Sequence, residues 1–277
     1  MVVRVVGRTL AALVVLAVGL LAYGYGEATS TPRVVRYTVR SPDWTAPPIT
    51  IALISDTHAV LPDMPPERLD RICDQVTALR PDLILLAGDY SSRRTVRTGP
   101  VGSGRATAQF AHLHARLGVF AVLGNHDMYL PGLAEAVAAG LRRAGVTVLR
   151  NGAVRTGDIW IAGADDGDYG SADVDGAIAQ IPAGAPAIFV VHNPDNFERV
   201  PNRVALTVAG HTHGGQVAPW FTGPIMLPIH HRAWARGLVW DKGRAMVVTS
   251  GVGASGVPVR IGVPPEIALI RLEGVSP

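Results

Sequence analysis

The stretch Val208-Ala209-Gly210-His211-Thr212-His213-Gly214-Gly215-Gln216 determines how the rest of the chain is interpreted. It continues an apolar run over 204–208, which predicts a strand that ends in two histidines two residues apart. Residues i and i+2 of an extended strand lie on the same side, so both imidazoles are expected to face one point. The glycines allow the backbone to approach that point closely. This arrangement suits a metal ion, and hydrogen-bonded core histidines are the alternative.

Polar residues also follow the other strands that the sequence predicts. Apolar runs over 49–54, 82–87, 118–123 and 187–191 are typical of buried central strands, and helical patterns follow the first three. This alternation predicts an α/β sheet, in which ligands collect at the carboxyl ends of the strands. Ordinary core or surface residues would not be expected to gather there. The candidate site residues after these runs are Asp56, His58, Asp89, Asn125, His126, Asp127, His192, His211 and His213.

The second half of the chain contains shorter strand patterns. Three are predicted at 146–149, 153–156 and 158–162. Asn151-Gly152 separates the first two and Gly157 the last two, and such residues are typical of hairpin turns. Consecutive strands in this region are therefore expected to pair antiparallel.

The donor atoms of the candidate residues are hard oxygens and imidazole nitrogens, without thiolate. This set suits divalent manganese, iron, zinc or nickel rather than a structural zinc site. The motifs resemble the five-part signature of the calcineurin-like metallophosphoesterases, in the form Asp56-x-His58, Gly88-Asp89, Gly124-Asn125-His126-Asp127, His192 and Gly210-His211-x-His213. A bacterial subgroup of membrane-associated phosphodiesterases is similar in three further segments, Gly214-Gly215-Gln216, Ser250-Gly251-Val252-Gly253 and Pro265-Glu266-Ile267.

The resemblance implies a four-layer α/β-β/α sandwich of two mixed sheets, with a dinuclear metal site at the strand ends. The implied ligands are Asp56, His58 and His213 for the first ion, Asn125, His192 and His211 for the second, and Asp89 as the bridge. It implies that His126 stabilises the transition state or protonates the leaving oxygen, and that Asp127 orients His126. Two cations about 3.5 to 4 Å apart can share a bridging carboxylate and a hydroxide that attacks phosphorus in line.

Length and composition indicate one globular catalytic domain. The 277 residues are 48% hydrophobic and 17% charged, which is enough to bury a substantial core. The net charge of +3 favours anionic partners. Cys73 is the only cysteine, so an internal disulfide is excluded. We divide the chain into an N-terminal segment, 1–30, and a metallophosphoesterase domain, 31–277.

The N-terminal segment is consistent with a cleaved signal peptide or a retained signal anchor. Its uncharged apolar run over 9–26 approaches the thickness of the hydrocarbon core of a bilayer. The absence of a small-x-small cleavage site, and two tyrosines near the end of the run, favour a single membrane anchor. Arg4 and Arg8 predict a cytoplasmic N-terminus and an extracytoplasmic catalytic domain. Three arginines that follow the apolar run argue against this orientation; they are Arg33, Arg36 and Arg40.

We expect hydrolysis of a phosphodiester or pyrophosphate bond in a phosphorylated small molecule or a lipid-linked substrate. Apolar segments at 219–221 and 225–227 offer surface for acyl chains or a bilayer, with ordinary packing as the alternative. Candidates for a second phosphate or a phospholipid headgroup are Arg93, Arg94, Arg97 and Arg105, although a solvated loop explains them equally well.

Two other functions remain as alternatives. A nuclease or cyclic-nucleotide phosphodiesterase would use the same metals, but aromatic residues make up only 6% of the chain, so a nucleic acid partner is not expected. A non-catalytic metal-binding scaffold is disfavoured because every ligand position and His126 are filled. Nothing in the sequence implies a protein partner.

Overall fold

The computed structural model describes residues 2–93, 98–100, 103–170 and 172–275. Two six-stranded mixed sheets lie face to face. The first consists of β1 (Arg33–Ser41), β14 (Glu266–Gly274), β2 (Ile49–Ile54), β4 (Leu83–Ala87), β6 (Val119–Val122) and β7 (Thr147–Val148), in that spatial order. The second consists of β12 (Gly237–Asp241), β13 (Arg244–Val248), β11 (Leu206–Ala209), β10 (Ala187–Val190), β9 (Ile159–Gly163) and β8 (Gly152–Thr156).

Helices connect many of the strands, and those that follow β1 pack on the outer faces of the sheets. They are α1 (Val2–Thr29), α2 (Pro66–Ala78), α3 (Ser103–Ala108), α4 (Asn125–Met128), α5 (Leu133–Arg143) and α6 (Val174–Ala179). Short 3-10 turns span Gln109–His112, Pro194–Arg199, His213–Gly215 and Arg232–Trp234, and β3 (Val60–Leu61) pairs with β5 (Gly99–Pro100).

Parallel pairing at the centre of each sheet directs the strand ends to one edge. In the first sheet β2, β4, β6 and β7 are parallel neighbours, and β14 runs antiparallel to β2. In the second sheet β9, β10, β11 and β13 are parallel neighbours. The polar residues that follow these strands are therefore brought to a common edge.

Three apolar layers separate four layers of backbone. The middle layer lies between the sheets and joins residues of both, such as Leu85 and Val208. Ile72 of α2 packs in the outer layer of the first sheet, and Val174 of α6 in that of the second. The α/β-β/α sandwich expected from the motifs is thus confirmed.

The predicted hairpin at Asn151-Gly152 is wrong. β7 pairs parallel with β6 in the first sheet, whereas β8 lies in the second sheet, so this dipeptide is a crossover between the sheets. Asn151 has a positive φ of 50°, which is also usual for a residue of a hairpin turn. Its side chain instead binds segments of the second half of the chain, because Oδ1 accepts hydrogen bonds from the amides of Asp165 and Asp173. The turn at Gly157 does join antiparallel strands, β8 and β9.

Among the described residues, α1 is the one helix whose length and composition would allow it to cross a membrane. The relevant segment has 27 residues, and its most apolar window has a mean hydropathy of 2.3 and no buried residues. Only its last turns contact the sandwich. The backbone amide of Arg260 donates to Gly24 O at 2.9 Å, and Arg68 Nη2 donates to Ala28 O at 2.9 Å. The division of the chain at residue 30 stays a prediction.

Candidate metal centre

The carboxyl ends of the central strands bring the candidate ligands of both sheets together. The placements are Asp56 and His58 after β2, Asp89 after β4, Asn125, His126 and Asp127 in α4 after β6, His192 after β10, and His211 and His213 after β11. All except Asn125 and His126 are buried. Side chains that are distant in sequence meet here because both sheets present the same edge.

The first group of donor atoms comprises Asp56, His58 and His213. The Nε2 atoms of the two histidines are 3.0 Å apart, and His213 Nε2 is 3.5 Å from Asp56 Oδ1. His58 Nε2 also lies 3.5 Å from Asp89 Oδ2. Three donor atoms therefore converge on one point, and Asp89 Oδ2 adjoins them through His58.

The second group comprises Asp89, His192 and His211, and Asn125 adjoins it. His192 Nε2 lies 3.1 Å from Asn125 Oδ1, 3.1 Å from His211 Nδ1 and 3.3 Å from Asp89 Oδ2. The same carboxylate oxygen of Asp89 therefore stands beside a histidine nitrogen of each group, and it links them.

These distances fit shared divalent cations. Metal bonds to nitrogen and oxygen are about 2.0 to 2.2 Å long, which places adjacent donors of one ion roughly 3 to 3.5 Å apart. The donor pairs measured here lie between 3.0 and 3.5 Å. Carboxylate, amide and imidazole together suit borderline divalent ions.

The expectation that His211 and His213 face one point is wrong. β11 ends at Ala209, so neither histidine lies in an extended strand. Both have left-handed backbone, with φ of 69° and 50°. The period-2 rule fails for such backbone, and the two imidazoles point into different groups.

The second ring nitrogen of three candidate ligands faces a backbone carbonyl. Because a carbonyl only accepts hydrogen bonds, that nitrogen must carry a proton, and the opposite nitrogen, which has a free lone pair when the ring is neutral, faces the donor group. This is the tautomer that metal ligation requires. The pairs are His58 Nδ1 with Ser91 O (3.1 Å), His192 Nδ1 with Ala87 O (2.6 Å) and His211 Nε2 with Pro228 O (3.1 Å).

His126 has the opposite arrangement. Its Nδ1 accepts a hydrogen bond from the backbone amide of Arg93 at 3.2 Å, so Nε2 carries the proton. The ring packs edge-to-face against His58 with centroids 4.6 Å apart and lines the cleft. Burial, and then the charge of His192, lower the pKa of His126 to about 4, so the ring is neutral at pH 7. It offers a hydrogen-bond donor to the site rather than a lone pair.

Asp127 contacts backbone rather than the His126 imidazole that it was expected to orient. Its carboxylate accepts hydrogen bonds from the amides of Asp89, Tyr90 and Ser91 at 2.8 to 3.0 Å, and from Gly124 at 3.0 Å. The side chain thus fixes the loop after β4, including the linking residue Asp89, against the start of α4.

Burial sets the direction of the pKa shift of two carboxylates and two imidazoles in the site. It raises the pKa of the Asp89 carboxyl to about 7, against the opposing effect of His192, and also raises that of Asp56. Burial lowers the pKa of His58 and His213 well below the usual value, which keeps both neutral. A bound cation would favour the ionised carboxylates and neutral imidazoles that coordination needs.

Glycines permit the close approach of the loops. A Cβ atom on Gly124 would lie 2.2 Å from Asp89 Oδ1, and one on Gly210 would lie 2.0 Å from Ser55 Oγ. Both distances are far below van der Waals contact. Steric crowding therefore explains why a glycine precedes the ligand motif at each of these two positions.

A cleft of about 560 Å³ opens beside the donor groups. The donors and His126 form its polar floor. The walls are largely apolar and include Val217, Ile225, Met226, Val257 and Val259. Gln216 joins the two walls, because its Nε2 donates to Ser255 O and Val257 O at 2.9 Å.

Sequence reasoning missed Arg260, which is fully buried beside the first group. Its Nη2 lies 3.3 Å from His213 Nδ1 and donates to the carbonyls of Ser250 and Gly253. The one feature of the sequence that could have indicated its burial is its position between Val259 and Ile261, because an arginine flanked by apolar residues can itself be buried.

Of the four loop arginines, Arg93 lies near the site. Its guanidinium stacks over Tyr129, 5.0 Å from the ring centroid, and donates to the Tyr169 hydroxyl. Arg94, Arg97 and the side chain of Arg105 lie outside the described residues. The phosphate contact expected of this loop stays a prediction.

A four-layer sandwich with two linked groups of metal-ligand side chains at its strand ends defines a protein of the metallophosphoesterase class. The sequence profile of the calcineurin-like phosphoesterases matches residues 49–215. The chain therefore belongs to the calcineurin-like phosphoesterase family, as its motifs indicated.

Several relatives share this similarity. An uncharacterized metallophosphoesterase of Aquifex aeolicus (strain VF5) is 31% identical over 94% of this chain and 98% of its own length. The uncharacterized metallophosphoesterase YkuE of Bacillus subtilis (strain 168) is 30% identical over 76% of this chain and 74% of its own. A transmembrane protein with metallophosphoesterase domain from Danio rerio is 30% identical over 96% of this chain, which spans 63% of that protein.

Proposed function

We propose that this protein is a membrane-anchored phosphohydrolase that uses two divalent ions to cleave a phosphodiester or pyrophosphate bond. The observation that carries the proposal is the position of Asp89 Oδ2, 3.5 Å from His58 Nε2 and 3.3 Å from His192 Nε2. One carboxylate oxygen between two donor groups is the geometry of a bridging ligand. The proposed ligands are Asp56, His58, Asp89 and His213 for one ion, and Asp89, Asn125, His192 and His211 for the other.

When bound, the divalent ions would supply the charge that acidifies an attacking water and neutralises phosphoryl oxygens. The protein's own residues position the reaction. His126 Nε2–H, held by the bond from Arg93 N to Nδ1, donates to the phosphoryl or leaving oxygen. Its low pKa makes the neutral ring a donor across the physiological pH range. Asp127 keeps Asp89 and α4 in register through four backbone amides.

The walls of the cleft support a substrate that carries acyl chains. Ile225 and Met226 on one side, and Val257 and Val259 on the other, offer apolar surface directly beside the donor groups. Small polar esters would gain nothing from burying this surface, whereas each methylene of an acyl chain gains about 0.8 kcal/mol. The scissile phosphate would lie at the polar floor and the chains along the walls.

The proposed anchor would bring the reaction to a membrane. α1 is apolar and exposed along the segment that would span the bilayer, and a relative with 30% identity is named a transmembrane protein. Arg4 and Arg8 favour a cytoplasmic N-terminus and hence an extracytoplasmic catalytic domain. In spheroplasts of a bacterial host, an impermeant maleimide should label an Asp158→Cys variant, whose side chain is 86% exposed. Labelling only after lysis would reverse the assignment.

The reaction class is tested with the full chain in detergent. The protein is stripped of metal, reloaded with manganese, zinc, nickel or iron, and assayed with a chromogenic phosphodiester and the matching monoester. Asn125→Ala removes one ligand and should lower activity at subsaturating metal by about 10-fold to 100-fold or more. His114→Ala is the control, because that histidine is exposed and outside the site.

His126→Ala tests this hydrogen-bond donor by its dependence on the leaving group. Removing one hydrogen bond to a developing oxyanion costs about 100-fold to 1,000-fold in rate, and a nitrophenolate needs such a hydrogen bond less than an alkoxide does. The variant should therefore lose more activity on an alkyl diester than on a nitrophenyl diester. Equal losses would assign His126 to the phosphoryl oxygens instead.

The outcomes separate the alternatives. Metal-dependent diester cleavage that Asn125→Ala lowers by about 10-fold or more at subsaturating metal supports the proposal. Two bound ions without turnover of any ester would support a metal-binding scaffold. Preference for polynucleotides or cyclic nucleotides over lipid diesters would support the nuclease or cyclic-nucleotide phosphodiesterase.

A further inference from the structure

One surface loop exposes an unusual amount of apolar side chain. Residues 219–226, called the apolar loop below, include Trp220, Phe221, Ile225 and Met226, which are 94%, 70%, 67% and 76% exposed. The rings of Trp220 and Phe221 pack edge-to-face with centroids 5.5 Å apart. Scattered exposed apolar residues are normal, but a contiguous group of large ones marks an interaction surface.

The apolar loop is connected to the end of the membrane helix. Val217, just before the loop, forms a parallel bridge with Ile261, and the Ala218 amide donates to Ile261 O at 2.8 Å. The neighbouring amide of Arg260 donates to Gly24 O of α1. A Cβ atom on Gly24 would lie 2.4 Å from Val259 Cγ1, so this segment packs directly on the helix.

The contact on α1 lies at the depth of the lipid headgroups. About 20 helical residues cross a hydrocarbon core of about 30 Å, and the uncharged run of α1 ends at Gly26, two residues beyond Gly24. Tyr23 and Tyr25 beside it are exposed, as interfacial aromatic residues are. The 257–261 segment, and with it the base of the apolar loop, is therefore held at the membrane surface.

We propose that the apolar loop is a second membrane contact, which inserts Trp220, Phe221, Ile225 and Met226 into the bilayer interface beside α1. The partner is the lipid surface itself. Arg232 is exposed at the base of the loop, where its Nη2 donates to Pro224 O at 3.1 Å. A guanidinium next to apolar side chains that insert into the bilayer matches the phosphate layer above the acyl chains.

The insertion determines how substrate enters. Ile225 and Met226 belong both to the apolar loop and to the cleft wall, and Val259 belongs both to the opposite wall and to the contact with α1. The cleft therefore opens onto the bilayer between two apolar walls. An acylated phosphodiester would reach the donor groups without leaving the membrane, a consequence that rests on the proposed function.

The insertion is tested without turnover, using the full chain in lipid nanodiscs. Trp220→Cys and Trp240→Cys carry an environment-sensitive fluorophore, and nitroxide-labelled lipids serve as the quencher. Trp240 is the matched control, since it is also exposed (52%) but lies in β12 near the end of the sheet away from the ligands. The native Cys73 is fully buried and does not compete for the label.

We expect the label at position 220 to be quenched several-fold more strongly than that at 240, with a blue-shifted emission. Quenching equal to that at 240 would overturn the proposal, whatever the enzymatic activity. A quenched label on a chain that hydrolyses nothing would leave the membrane contact standing and refute the proposed function alone.

A second variant measures the consequence. Trp220→Asp combined with Phe221→Asp should keep hydrolysis of a soluble chromogenic diester within about twofold, because neither residue lines the cleft. It should lower the rate on a long-chain phosphodiester embedded in the nanodisc by fivefold or more. Loss of both activities would place the loop in the catalytic machinery, and loss of neither would show that substrate does not enter from the membrane.

Discussion

The replacement Asp127→Asn distinguishes a residue that orients His126 from one that holds loops. The buried carboxylate accepts hydrogen bonds from four backbone amides. Oδ2 accepts from the amides of Asp89 and Gly124, and Oδ1 from those of Tyr90 and Ser91. An asparagine keeps one acceptor and turns an NH2 group toward the other two donors.

The structure sets the size of the effect. A hydrogen bond to a charged group contributes about 1.5 to 3 kcal/mol, so losing two costs about 3 to 6 kcal/mol. This is a large part of the roughly 5 to 15 kcal/mol by which domains are stable. For a chain of this size it corresponds to a fall in melting temperature of roughly 6 to 24 °C.

The assay is thermal unfolding of metal-free and metal-loaded protein in detergent, together with kcat on a chromogenic diester. Asp158→Asn is the control, because it is the same change on a side chain that is 86% exposed. Asp127→Asn should lower the melting temperature in both metal states, and Asp158→Asn should not. A variant that melts within 3 °C of the wild type but loses kcat would refute the loop-holding role and restore orientation of His126.

Two further predictions concern Asp89 and its neighbours. Gly124→Ala should weaken manganese binding by at least 10-fold to 100-fold in calorimetric titration, because its Cβ atom would lie 2.2 Å from Asp89 Oδ1. Gly152→Ala, whose Cβ atom meets no atom closer than 3.5 Å, should bind normally, and equal affinities would contradict the prediction. Burial raises the pKa of Asp89 from 3.8 to about 7. Protonation of Asp89 therefore contributes fully to the free energy of unfolding of the metal-free protein below about pH 4, and this contribution is lost as the pH rises through 7. Manganese must displace that proton, so its affinity should rise by about tenfold or more per pH unit below pH 7. An affinity that does not change between pH 5.5 and 8.5 would contradict this prediction.

The candidate ligands were predictable because strand ends can be read locally. β-branched runs such as 49–54 and 187–191 form β2 and β10, and Asp56 and His192 follow them. Parallel pairing then brings such residues to one edge. The family of the chain followed from the spacing of these motifs and is confirmed by the profile match to residues 49–215.

The sequence-based predictions failed where a local pattern is compatible with two tertiary arrangements. Asn151-Gly152 has the composition of a hairpin turn, but strand pairing alone decides that it crosses between sheets. His211 and His213 were assigned to one strand face, whereas their left-handed backbone sends them to separate donor groups. Turn residues and φ values do not specify the strand with which the following segment pairs or the donor group that a following side chain joins.

The sequence by itself determined the element types, the donor set, the apolar N-terminal helix and the family, because these depend on residue type and on spacing of a few positions. Only the tertiary structure decided that Asp89 Oδ2 lies between the two groups, that Asp127 binds backbone amides and that Arg260 is buried beside His213. It also decided that the apolar loop lies beside Gly24 of α1. These relations join residues separated by tens to hundreds of positions, and their distances are set by how the two sheets and their loops pack.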